Sequence, residues 1–73
     1  MPRIPSLTPK EVLKKFKKLG YLLDRQKGSH LILYHQALRK RIVIPLHLKD
    51  LPKGTLLAII KEAGLTKTEF LKI

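Results

Sequence analysis

Apolar residues recur at helical spacing near the start of the chain, where Val12, Leu13, Phe16 and Leu19 fall on one stripe. Lys10, Lys14, Lys15, Lys17 and Lys18 take much of the remaining circumference. The punctuation agrees with the period. Thr8 stands where a cap belongs, Pro9 at the first helical position, and Glu11 where its carboxylate can return a hydrogen bond to the cap backbone. Leu7 and Val12 are placed as a hydrophobic staple, and Gly20 supplies a left-handed stop. The pattern predicts a helix over residues 9–19.

From residue 21 the period shortens. Residues 21–25, 29–35 and 40–45 are short runs rich in aliphatic, β-branched and aromatic side chains, which predicts three strands. The connections at 26–28 and 36–39 are short enough for hairpins, so the strands form an antiparallel meander, and Pro45 closes the last one. In the second strand Leu31 and Leu33 compete with Ile32 and Tyr34 for the inward positions, and the pattern leaves that choice open. A second helix is predicted to begin within residues 51–55, to carry Leu56, Leu57, Ile60 and Ala63 toward a core, and to stop at Gly64. Thr66 and Glu69 form another capping box, with Leu65 and Phe70 as its staple, opening a short last helix. The expected class is α+β: one domain over residues 1–73, ordered α-β-β-β-α with a short C-terminal helix. An apolar sheet face left in water would not offset the entropy lost on ordering, so the helices should cover one face of the three-stranded antiparallel sheet. The other face is left for binding.

Composition narrows the function. A domain of about 60 residues buries only ~60% of its unfolded surface, so 73 residues imply marginal stability, and a partner that binds the folded form would add to it. Sixteen Lys and Arg against five Asp and Glu give a net charge of +11, which calls for a polyanionic partner: a nucleic acid or an acidic protein surface. The absence of cysteine removes disulfides, thiolate zinc sites and a cysteine nucleophile. No apolar run approaches the ~20 residues that span a bilayer, and the first residues lack the apolar core of a secretory signal, so the expected location is the cytoplasm.

Nucleic-acid cleavage by metal ions needs several converging carboxylates. Here Glu11 and Glu69 belong to capping boxes and Glu62 to a helix surface, which leaves Asp24 and Asp50; neither a metal site nor another cofactor is expected. The other route to RNA cleavage needs a base for the ribose 2′-proton, cations for the charged phosphorane and an acid for the leaving oxygen. Imidazole, with an ordinary pKa of roughly 6.5, serves as base or acid near neutral pH. Arg25, Gln26, Lys27, Gly28, Ser29 and His30 place two cations, a glycine turn and a hydroxyl just before an imidazole at a strand start. A histidine at a strand edge is also commonly no more than a solvated polar residue. His35, five residues on, leaves the opposite face of a regular strand and cannot form a simple acid–base pair with His30, while His47 follows the third strand with no assigned role. Lys53, Gly54 and Thr55 at the second helix could hold a phosphate, although plain helix capping accounts for the same residues.

Taken together, the Gly28-Ser29-His30 segment, the Val43-Ile44-Pro45 strand end, the run Leu51-Pro52-Lys53-Gly54-Thr55-Leu56 and Ala63-Gly64-Leu65 resemble the HicA-type mRNA interferases, also called YcfA-like proteins. The resemblance implies a fold like a double-stranded-RNA-binding domain, RNA cleavage dependent on His30, and a HicB-like antitoxin covering the active surface. Arg25, Lys27, Ser29 and Lys53 are the candidate contacts to single-stranded or messenger RNA. A non-catalytic RNA-binding module of the same fold is the main alternative, and an adaptor for an acidic protein is a third. Membrane-surface binding is disfavoured because the apolar stripe of the first helix is committed to the core.

Overall fold

The structure, a computed structural model, describes residues 5–46 and 49–73. Reciprocal hydrogen bonds fix two helix starts. Thr8 Oγ1 accepts from the Glu11 N–H at 3.2 Å, and the Thr8 N–H donates to the Glu11 carboxylate at 3.0 Å. From this cap α1 runs Pro9–Lys18. Thr66 and Glu69 repeat the arrangement at 3.1 and 2.8 Å and open α3, Lys67–Leu71. Between them lie β1 (Leu22–Lys27), β2 (His30–His35), β3 (Lys40–Pro45) and α2 (Lys53–Glu62). This is the expected α+β order, with an antiparallel sheet in the sequence β1-β2-β3.

The second helix departs from expectation at its start. Its N-cap is Pro52 and no side chain caps it, so Thr55 does not do the capping work assigned to that segment. Inward, α2 buries Leu56, Ile59 and Ile60, with Ala63 buried just past its end, whereas Leu57 stays half-buried. The first strand also shifts. Tyr21 lies outside it and buries its ring edge-on against Phe16, with centroids 5.3 Å apart. Gln26 and Lys27, expected in the connection, are in the strand, because pairing with β2 continues as far as His30.

The core is one cluster in which Leu31 and Leu33 of β2 and Ile42 and Ile44 of β3 meet Val12 and Phe16 of α1 and the buried residues of α2. Phe70 brings α3 in, stacking obliquely on Phe16 at 5.8 Å. Lys15 adds a tie across the same junction, 5.2 Å above the Phe70 ring and 3.4 Å from the Ile73 carbonyl. Among the described residues no helix is long and apolar enough to cross a membrane.

Both capping carboxylates are held below the ordinary carboxylate range, first by the backbone N–H of Thr8 or Thr66 and then by the threonine hydroxyl. A depressed folded-state pKa contributes stability that is present above the unfolded value and lost as pH falls through the folded one. Melting temperature should therefore decline on acidification below about pH 4.5, and this decline should be shallower in the Glu11→Gln, Glu69→Gln double variant. Equal acid sensitivity in both proteins would show that the caps contribute none of it.

Candidate functional site

Burial settles the alternation in β2. Leu31 and Leu33 point into the core, so His30, Ile32 and Tyr34 project from the opposite, helix-free face. The register adds neighbours to that face. Lys27 pairs with His30, Arg25 with Ile32 and Leu22 with Tyr34 on one side, and Val43 with Ile32 and Arg41 with Tyr34 on the other. Leu22 and Arg25 are an odd number of residues apart and share a face only because the register shifts between Leu23 and Arg25, with Asp24 as the extra residue. The two-residue turn at Gly28 and Ser29 sets Lys27 beside His30, about 5 Å away between Cβ atoms by cross-strand geometry.

The turn before His30 is short and pinned. Gly28 has φ 59° and Ser29 does not share the left-handed region, the pattern of a two-residue turn in which glycine comes first. The Gln26 side-chain amide donates to the Gly28 carbonyl at 3.1 Å, and the Leu46 N–H donates to the Ser29 carbonyl at 2.6 Å. Ser29 thus anchors the end of β3 through its backbone. His30 is exposed at the first position of β2.

The other candidates divide. Lys27 is exposed on the open face beside His30. Arg25 shares the face, but its Nε lies 3.4 Å from the Asp24 carboxylate, an exposed pair of little energetic weight. Lys53 sits at the start of α2, not on the sheet, and lines a small pocket with Pro5, Ser6 and Leu51. It belongs to the same end of the molecule, since the Leu51 N–H donates to the Leu7 carbonyl and Leu46 borders a cleft with Pro9, Lys10 and Lys49. The N-termini of both long helices and the β1–β2 turn therefore gather lysines around one end of the sheet. His47 lies outside the described residues.

His35 has structural work instead. Its Nδ1 accepts from the Leu38 N–H at 3.1 Å, so the proton is on Nε2, which donates to the Leu19 carbonyl at 3.0 Å. The ring also meets Tyr21 edge-on at 5.1 Å, and Gly20, at φ 100°, leaves room for it: a Cβ there would stand 2.9 Å from Nε2. His35→Ala is expected to lower stability in urea by about 1–3 kcal/mol, chiefly the cost of leaving the partly buried Leu19 carbonyl without its donor. A change below about 0.5 kcal/mol would show that water replaces the ring.

Sequence reasoning passed over Tyr34, Arg41 and Val43. The Arg41 guanidinium lies over the Tyr34 ring at 5.8 Å, and Val43 remains 43% exposed. With Leu22, 68% exposed, they give the His30 face an apolar middle bordered by cations. Their signal was the period-2 alternation, unreadable until burial chose the inward set. Among the described residues no three His, Asp or Glu side chains converge as a metal site would need.

Residues 9–65 match the family model described as "HicA toxin of bacterial toxin-antitoxin". A search of curated proteins found no match to the chain. The match takes in α1, the whole sheet and α2, with the open face and its histidine. The chain belongs to the HicA toxin family of bacterial toxin–antitoxin systems.

Proposed function

We propose that this toxin is a metal-independent endoribonuclease that cleaves messenger RNA in the cytoplasm, with His30 as its catalytic residue and a HicB-like antitoxin as its inhibitor. The observation that carries the reading is the pairing of exposed His30 with exposed Lys27 on the helix-free face. A neutral imidazole there accepts the ribose 2′-proton. The 2′-oxygen attacks phosphorus, the bond to the 5′-oxygen breaks, and that oxygen leaves after taking a proton, giving a 2′,3′-cyclic phosphate and a 5′-hydroxyl. The Lys27 ammonium beside the imidazole stabilises the extra negative charge of the phosphorane. Ser29 and Arg25 contact the adjoining backbone phosphates, and Lys53 extends the cationic track at the same end. Family membership supplies the partner class, and the net charge of +11 suits both RNA and an acidic inhibitor.

The reading is tested with purified protein and single-stranded RNA in excess chelator. Fragments ending in a 2′,3′-cyclic phosphate are expected. Fragments that form only when divalent ions are restored would overturn the metal-independent route, and binding without fragments would favour the non-catalytic RNA-binding module.

A further inference from the structure

The two edges of the sheet are built differently. The β1 edge carries Asp24, Arg25, Gln26 and Lys27 in succession and is broken by the bulge, two devices that discourage pairing with another chain. The β3 edge has no bulge, and its charge is confined to Lys40 and Arg41 at one end. Its register with β2 is unbroken from Lys40 to Pro45, and among the described residues no strand pairs with its outer side. The Leu46–Ser29 bond fixes the phase of the ladder: Lys40, Ile42 and Ile44 bond inward to β2, so Arg41 and Val43 direct their N–H and C=O groups outward. Beside this edge runs a mostly apolar groove of about 470 Å³, lined on its helix side by Thr55, Ala58, Ile59 and Glu62 of α2.

We infer that the β3 edge and the α2 groove receive an extended, acidic segment of the antitoxin, which adds a fourth strand to the sheet. The inference rests on the antitoxin partner that family membership implies. Main-chain bonds to Arg41 and Val43 supply the pairing, and alternate residues of the added strand face opposite ways. Side chains on the helix side enter the groove over Ala58 and Ile59 and are apolar. Those on the other side emerge beside Arg41, whose guanidinium is held at the open face by Tyr34, and are carboxylates. Charge decides against a second copy of this chain as the occupant. Two β3 strands paired antiparallel would leave each Arg41 with no carboxylate on the facing strand, between molecules that each carry +11. Pro45, with no N–H, ends the edge on its other side.

The probe is a short blocked peptide of alternating glutamate and valine, added to the isotope-labelled protein while amide hydrogen exchange is followed by NMR. Exchange at Arg41 and Val43 should slow by roughly tenfold or more at saturating peptide. Ala58→Glu, on the exposed side of α2, should weaken peptide binding by roughly tenfold or more without changing the melting temperature. Slowing at β1, or none at either edge, would overturn the site. Equal binding of a lysine–valine peptide would overturn the acidic partner, and slowing produced by protein concentration alone would assign the edge to a second copy and overturn the proposal. No readout uses RNA, so failure of the nuclease reading and failure of this one are separately visible.

Discussion

His30→Ala is expected to slow RNA cleavage by about a hundred- to ten-thousand-fold while leaving the protein folded. The size follows from the role: a positioned general base is worth that much, and among the described residues no second imidazole shares the face, since His35 turns to the opposite side and is occupied by Leu19 and Leu38. The retained fold follows from placement. His30 is exposed, and its backbone pairing with Lys27 and Pro45 survives loss of the ring. Initial rates on a defined single-stranded RNA, set beside thermal melts of both proteins, measure the two quantities. His35→Ala is the counterpart, with lowered stability and retained cleavage in whatever fraction remains folded. Cleavage by His30→Ala at the wild-type rate would remove this histidine from the mechanism. Lost cleavage together with a lost fold would make the residue structural.

The largest effect on stability is expected from Phe16→Ala. Phe16 is fully buried and touches Tyr21 edge-on and Phe70 obliquely, so its ring is where α1, the start of the sheet and α3 meet. Truncating a buried aromatic ring costs about 3–5 kcal/mol, the lost transfer energy plus the cavity left behind. In a domain of this size each kcal/mol lowers the melting temperature by about 4–8 °C, so a fall of roughly 12 °C at the least is expected. Circular dichroism melts would show it. Because α3 lies beyond the family match and is held by Phe70 and Lys15, its amides should lose hydrogen-exchange protection before those of β2. A fall under about 5 °C would mean that the neighbouring side chains close the cavity.

The sequence alone determined the helix starts at Thr8 and Thr66, because a capping box is a local device whose partners lie three residues apart. It also determined the order of elements, the third strand and the place of His30 at a strand start just after a glycine turn, all of which follow from period and turn chemistry over a few residues. Binary pattern could not say which side of β2 faces inward, since four consecutive apolar residues, Leu31 to Tyr34, satisfy either choice. Burial against Phe16, Ile42 and Ile44 decided that, and with it which residues accompany His30. The bulge at Asp24 was equally beyond the sequence: one unpaired residue changes which side chains of β1 share a face with β2, and only the partner strand's register reveals it. His35 could not be distinguished from His30 by residue type. Its bonds to Leu19 and Leu38 depend on how the end of α1 and the β2–β3 turn meet across the fold, and tertiary structure alone brings those two segments together.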